Sequence, residues 1–398
     1  MPEQKIGALA PRLQAIVDAE YPRFGDAEMD RRRVAMQGAL AEAGVDHLIF
    51  CGASRFGSAV QWLTQWPVTA EAVGVFTPGQ ADALFVQYVN HAPLARNLAD
   101  RAETVEWGGE SSIRKAIAVL EKRGARSDRV GVVGPMNFEQ HAVLAARFGK
   151  IQNLNRAYVG LRKVKSAEEI DWLRIGAALS DRGMAALRDG LKPGLTEREL
   201  GDLIERAYVA DGGANRIHYI GVTPMHAPAL GVPAQFPSTR RVQQGDVVFA
   251  EISAEFWDHT GQVLRSFAVA AEPPKLYGDL HAAAEAAFDA IAAVLKDGAT
   301  PAQVLAASAV IEDAGFTIID DLLHGYGGGY LPPILGSKSR PAGPIPEEPF
   351  RTGQTVVIQP NVVTRDGKAG VQTGELVVIT ATGIESLHSF PRGFARVC

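Results

Sequence analysis

The chain has 398 residues, of which 46% are hydrophobic and 21% charged, a balance that supports folded cores and excludes global disorder. Its 40 Lys and Arg against 45 Asp and Glu give a formal charge of -5, so there is no basic surplus to neutralise a phosphate backbone and nucleic acid is not expected as a partner. Cys51 and Cys398 stand far apart with no Cys-x-x-Cys pair, which excludes a disulfide framework and a thiolate zinc site.

The length favours two domains. The N-terminal stretch mixes charges through its apolar positions and has no apolar core of a secretory signal. Nowhere do about 18 apolar residues run uninterrupted; the longest candidate, Ala282 to Leu295, carries Glu285 and Asp289. No membrane span is expected, and a reducing cytoplasm fits best.

In chain order, Arg31 to Ala43 reads as an amphipathic helix, Val45 to Phe50, Ala72 to Phe76 and Ala83 to Val86 as strands, Ser111 to Lys122 as a helix, Val130 to Val133 as a strand and Glu139 to Phe148 as a helix. The alternation predicts a small α/β domain over residues 1–155, with the boundary falling between Asn153 and Lys165. Ser166 with Glu169 three positions later predicts a capping box opening a long helix, and Thr196 with Glu199 predicts another. Strand-rich segments follow, then Ala-rich helices over about 276–297 and 301–314, then strands near 355–361, 370–372 and 375–380. Residues 156–398 therefore read as an α+β domain with a helix, helix, strands pattern stated twice.

Several segments in this order resemble the creatinase, prolidase and aminopeptidase P superfamily: Ser58-Ala-Val-Gln-Trp-Leu-Thr-Gln-Trp-Pro, Leu161-Arg-Lys-Val-Lys-Ser-Ala-Glu-Glu-Ile, Leu191-Lys-Pro-Gly-Leu-Thr-Glu-Arg-Glu-Leu, Gly245-Asp-Val-Val-Phe-Ala-Glu with Arg265-Ser-Phe, His324-Gly-Tyr-Gly, and Gly353-Gln-Thr-Val-Val-Ile-Gln-Pro. The resemblance implies a C-terminal "pita-bread" catalytic domain behind a smaller α/β N-terminal domain. Metallopeptidases of the superfamily hold two divalent cations with two aspartates, one histidine and two glutamates. Set against that pattern, the aspartate positions fall on Glu251 and Gln262, the histidine on His324, and the glutamates on Gln359 and on Gly374 beside Glu375. The family's further active-site histidines fall on Leu331 and on Ala234 or Gln235.

Two dications held close together need roughly four carboxylates to offset their charge. One carboxylate and one imidazole remain, and a neutral amide contributes far less to binding a 2+ ion. The expectation is a pocket without metal or other cofactor.

Strand alternation places Phe249, Glu251 and Ser253 on one face and brings Gln262, Leu264 and Ser266 to it. Glu251, in a partly apolar pocket without a cationic neighbour, is the candidate general base or nucleophile; the competing reading is a strand Glu bonded to backbone or to Arg265. His324, beside a Gly-rich turn, is the candidate proton shuttle or polarising group, against a structural hydrogen bonder. Gln262, Gln359 and Gln372 would orient the substrate. His218, His226 and His259 flank the pocket and could replace the lost substrate-side histidine. Arg55 and Trp62 resemble the N-domain loop that in creatinase-like dimers reaches the partner's active site, which implies a homodimer; core packing is the alternative for Trp62. Arg265 reads as structural.

The resemblance, with these departures, implies a metal-independent hydrolase of a C–N bond in a small polar amide, amidine or modified amino acid. The alternatives are a catalytically silent ligand- or protein-binding module, a lyase or biosynthetic enzyme on the same fold, and a metal-dependent Xaa-Pro peptidase.

Overall fold

The computed structural model describes residues 6–53 and 59–398; Arg55 and Phe56 lie outside the described residues. The chain divides into two compact units, Asp18–Arg162 and Lys163–Cys398, the second also taking in the residues up to Val17. This differs from a division at 155/156. Asn155 belongs with the first unit because its side chain accepts from the Gly134 amide at 2.8 Å. The N-terminal segment belongs with the second because Gly7 N donates to Ser389 Oγ at 2.9 Å and Arg12 pairs with Asp171 at 2.6 Å.

The first unit carries a six-stranded sheet of β1 (His47–Ala53), β2 (Glu71–Phe76), β3 (Asp82–Val86), β4 (Ala102–Trp107), β5 (Val130–Val133) and β6 (Gln152–Asn153), in the order β4-β3-β2-β1-β5-β6. Helices Ser112–Lys122 and Phe138–Phe148 bury Ile113, Ala116, Leu120, Leu144 and Phe148 against Ile49, Val73, Val75 and Val132. Trp62, on the short helix Ala59–Thr64, is only 7% exposed and meets Tyr158 edge to face at 5.6 Å. It is core of its own unit, an arrangement that uses its ring for packing and leaves little surface for a substrate.

In the second unit, Ser166 and Glu169 form a reciprocal capping box that starts helix Ala167–Gly190, and Thr196 with Glu199 does the same for Glu197–Arg206. Each box satisfies two amides that the first helical turn would otherwise leave unpaired. The strands are β7 (Ala214–Pro224), β8 (Asp246–Phe256), β9 (His259–Val269), β10 (Thr317–Ile318), β11 (Leu323–Tyr326), β12 (Tyr330–Leu335), β13 (Thr355–Ile358), β14 (Val362–Val363), β15 (Gly374–Ile379), β16 (Ile384–Ser386) and β17 (Phe394–Val397). Seven of them form a strongly bent path, β12-β11-β13-β15-β9-β8-β7, with β16 on β15 and β17 on β9.

Helix Lys275–Val294 buries Leu280, Ala284, Ala287 and Ile291 in a core with Val356, Ile358, Val377 and Ile379. Helix Ala167–Gly190 packs Leu173 and Ala177 on the opposite side, with Leu264, Val357 and Leu376. That helix can lie directly on the β8–β9 hairpin because Gly176 and Gly261 lack side chains; a Cβ on Gly261 would sit 2.2 Å from Ala177 Cα.

Two expected elements differ. The helix over 301–314 is two pieces, Pro301–Ala307 and Val310–Asp313. Residues 370–372 form no regular strand: Gly370 makes an isolated bridge with Val363 and Val371 N donates to Val362 O, while at Gln372 Ser266 Oγ accepts from N at 2.8 Å and donates to O at 3.1 Å. Among the described residues no helix is long and apolar enough to cross a membrane.

Candidate functional site

In antiparallel strands, residues directly opposite each other point to the same side of the sheet. The register pairs Ser253 with Gln262, Glu251 with Leu264 and Phe249 with Ser266. It pairs Tyr219 with Glu251, Leu264 with Gly374, and His324 with Val357. Ile358 pairs with Glu375, so the next residue, Gln359, falls opposite Gly374. One continuous face therefore carries Tyr219, Glu251, Ser253, Gln262, His324 and Gln359.

On that face a chain of buried side chains runs from carboxyl to imidazole. Gln262 Nε2 donates to Glu251 Oε1 at 2.7 Å and to Gln359 Oε1 at 3.0 Å, and His324 Nε2 lies 3.2 Å from the same Gln359 oxygen. His324 Nδ1 faces the Gly325 carbonyl at 3.0 Å. Glu251 is 6% exposed and His324 1%. Tyr330, half exposed, stacks on the His324 ring at 4.1 Å and covers it, while Tyr326 meets the same ring edge-on.

Burial sets the electrostatics. Desolvation pushes the Glu251 carboxyl up to about 8, with Asp320 adding to the rise and a hydrogen bond from Gln372 opposing it. Desolvation pushes His324 down to about 4, against the hydrogen bonds to Gly325 and Gln359 and the nearby Asp320. Tyr219 is raised by burial first and then by Glu251 and Asp320.

The chain admits two proton arrangements on one set of heavy atoms. As oriented, both His324 nitrogens face oxygens, which suits an imidazolium opposite an ionised Glu251. Turning both glutamine amides about their terminal torsions makes Glu251 the donor to Gln262 and Gln359 the donor to His324, which suits a neutral acid and a neutral base. The directions of the two shifts favour the neutral arrangement near pH 7.

The other predicted residues lie elsewhere. His218 pairs with Ile252, so it points to the opposite face, where Nε2 accepts from the Tyr208 hydroxyl at 2.5 Å and Nδ1 donates to the Ile217 carbonyl. Its neighbour Tyr219 is the residue on the Glu251 face, and the sequence reading missed it. His226 is exposed beyond the end of β7. His259 pairs with Phe256, five residues along the hairpin from Glu251, and its ring packs at 5.4 Å on Trp172. Arg265 is fully buried on the far face, bonded to Glu375 at 2.6 Å and to the carbonyls of Leu264, Gly374, Phe390 and Pro391. It holds Glu375, not Glu251.

Gln372 joins the site through its amide to Glu251. Val371 N donates to Val362 O and Val363 bridges Gly370, so Gln372 and Asn361 are the next residue on each side, and at Asn361 the backbone turns, its N–H donating to Gln359 O. Asn361 is wholly buried, yet neither its Oδ1 nor its Nδ2 has a hydrogen-bond partner, and Gln372 Oε1 also lacks one. A buried polar group left this way costs about 1–3 kcal/mol. The sequence signal for Asn361 was its place two residues after Gln359.

The face offers the Glu251 carboxyl, one imidazole and four amides, with the Asp320 charge nearby, and among the described residues no group of three or more His, Cys, Asp or Glu is placed to hold a metal ion.

Comparisons with known proteins bear on the family and the fold. The model of metallopeptidase family M24 matches residues 171–381. Creatinase from Bacillus sp. (strain B-0618) is 24% identical over 182 residues, 45% of this chain and 44% of that protein. A probable dipeptidase PepE of Mycobacterium tuberculosis is 28% identical over 244 residues, covering 58% of this chain and 60% of that one. These alignments thus span about half the length of the curated relatives. Among solved structures, X-Pro aminopeptidase from Thermotoga maritima MSB8 aligns with a TM-score of 0.78 at 17% identity over 92% of this chain and 99% of that one. A recombinant prolidase from Thermococcus sibiricus aligns at 0.79 and 18% identity over 94% and 100%. Likeness at this identity is a likeness of fold.

Proposed function

The chain belongs to metallopeptidase family M24, in the creatinase, prolidase and aminopeptidase P superfamily, and on that premise we propose that it is a hydrolase that cleaves a C–N bond of a small polar amide, amidine or modified amino acid without a metal ion. The observation that carries this reading is the unbroken chain Glu251–Gln262–Gln359–His324.

The family's two-cation centre does not fit the donors present. Two dications demand several anionic oxygens. Here Glu251 is the sole carboxylate on the chain, and its bond to Gln262 is made to an N–H donor. Glu375, beside the position of the family's second glutamate, is neutralised by Arg265 at 2.6 Å, and Asp320 acts on Glu251 as a neighbouring negative charge. No step of the proposed reaction passes through a metal.

Glu251 acts as the general base. A carboxylate whose proton affinity lies near working pH is strong enough to take a proton from water and is still ionised in a useful fraction of molecules. The attacking water forms the new C–O bond at the carbonyl or amidine carbon, Glu251 takes its proton, and that proton passes to the nitrogen as the C–N bond breaks. His324 touches Gln359 and not Glu251, so its role is positioning: its protonation state sets which way the two amides point, and so whether Gln262 presents N–H or C=O to Glu251. Gln262 and Gln372 hold the carboxyl in place.

A binding-only role is the second reading, favoured by the amides standing where acid-base groups would be needed. Xaa-Pro peptidase activity, which the names of several relatives carry, requires the metal centre that these donors do not fit. A panel of small amides, amidines and cyclic ureides assayed with wild-type protein and Glu251→Gln tests the proposal: turnover that disappears in the variant supports it, and turnover that survives removes Glu251 from the chemistry.

We propose the following as well. The ligand is a small molecule, and the protein works in the cytoplasm as a homodimer.

A further inference from the structure

Asn361 and Gln372 are the next residues beyond Val362 and Val371, which are joined by a bond from Val371 N to Val362 O. Both are at most 1% exposed. The Gln372 amide reaches Glu251, which leaves Gln372 Oε1, Asn361 Oδ1 and Asn361 Nδ2 without partners. The pair therefore presents two free acceptors and one free amide donor beside the carboxyl, and no cation is among the groups acting on Glu251.

This inventory discriminates between ligand classes. A carboxylate or phosphate offers only acceptors, which matches the donor but leaves both oxygens unmatched next to a carboxyl. A guanidinium or amidinium offers only donors, which satisfies both oxygens and leaves Asn361 Nδ2 facing N–H groups. A carboxamide or ureide group carries N–H and C=O on one planar edge and satisfies all three atoms. Sites built to hydrogen-bond a group reject analogues lacking it, because buried polar atoms are left unpaired.

We propose that Asn361 and Gln372 form a recognition subsite for a neutral carboxamide or ureide group, with N–H on Gln372 Oε1 and Asn361 Oδ1 and C=O on Asn361 Nδ2. The proposal narrows the substrate class and rests on the reading of the site as one for small amides. It assigns Asn361 the specificity role and leaves the chemistry to Glu251.

The test uses full-length protein and four probes of similar size: hydantoin and methylurea, which are neutral, acetamidinium and acetate. The subsite predicts measurable calorimetric or NMR binding of at least one neutral probe, with acetamidinium and acetate at least about tenfold weaker. Asn361→Leu lowers affinity for the neutral probe by about tenfold or more and raises the melting temperature of unliganded protein, since an unpaired buried amide is replaced by an apolar group of similar shape. Asn361→Asp, which exchanges the donor for an acceptor, shifts preference toward acetamidinium and guards against misfolding of the first variant. Failure of both neutral probes to bind overturns the subsite, as does equal binding of the charged probes or unchanged affinity in Asn361→Leu. Selective neutral binding combined with turnover that survives Glu251→Gln would overturn the catalytic role of Glu251 and leave the subsite standing.

Discussion

Gln262 Nε2 lies 2.7 Å from Glu251 Oε1, the two residues sitting eleven positions apart on adjoining strands. At the positions that the resemblance assigns to the paired aspartates of a two-cation site, this protein sets an amide donor against a single carboxyl. The amide's N–H supplies the positive end of a dipole to the oxygen that a cation would otherwise hold, and Gln359 extends the same bonding to His324 at 3.2 Å. Five consequences can be measured.

Turnover of any amide accepted by the protein rises with pH toward a plateau above about 8, because the working base is ionised Glu251 and burial holds its proton to about 8. Glu251→Gln lowers kcat by about 10²–10⁴-fold, the usual contribution of a positioned base. A pH–rate profile that is flat between about 6 and 9 contradicts this assignment.

Stability carries the same signature without any substrate. The native pKa of Glu251 lies above the ordinary value of 4.5, so the native state binds more protons than the unfolded chain between these two values. The contribution of Glu251 is thus fully favourable below about 4.5 and is lost as pH rises through about 8, with a slope of at most about 1.4 kcal/mol per pH unit. Urea titrations of wild type and Glu251→Gln at about pH 5, 7 and 9 should show the variant gaining relative stability as pH rises. A constant difference would mean an unshifted carboxyl.

His324 behaves in the opposite sense. Its native pKa is lowered from 6.5 to about 4, so its contribution is intact above about 6.5 and is lost as pH falls toward 4. Tyr330→Ala removes the ring stacked on it at 4.1 Å, admits water and moves its titration upward, observable by histidine NMR. An unchanged titration would show that Tyr330 does not shield the imidazole.

Much of this site was legible in the sequence, and the limits have physical causes. The capping boxes at Ser166 and Thr196 depend on local spacing alone and could be read directly. Phe249, Glu251 and Ser253 share a face with Gln262, Leu264 and Ser266, as strand alternation implies. At β7 the sequence sets His218 and Tyr219 side by side without the register that decides between them, and the pairing of Tyr219 with Glu251 and of His218 with Ile252 gives Tyr219 the Glu251 face and turns His218 to Tyr208. Tyr330 reaches His324 because Gly327, Gly328 and Gly329, with φ of 119°, 66° and 105°, fold β12 back along β11; such a turn shows in sequence as three glycines without a direction. Asn361 stayed invisible because its burial follows from the turn at Pro360, where Asn361 N donates to Gln359 O.

Restoring charge should restore ion binding. Gln262→Asp with Gln359→Glu adds two carboxylates beside Glu251, and the double variant should bind Mn²⁺ at least about tenfold more tightly than wild type by calorimetry, since hard dications respond to the number of anionic oxygens. Equal affinity in the two proteins would show that these positions do not govern ion binding.

The most direct measurement is elemental analysis of the purified wild-type protein together with Mn²⁺, Zn²⁺ and Co²⁺ titration. The donor set around Glu251 predicts metal well below one equivalent per chain and no saturable tight binding. Two tightly held equivalents of any of these ions, lost on replacing Glu251 or His324, would contradict it.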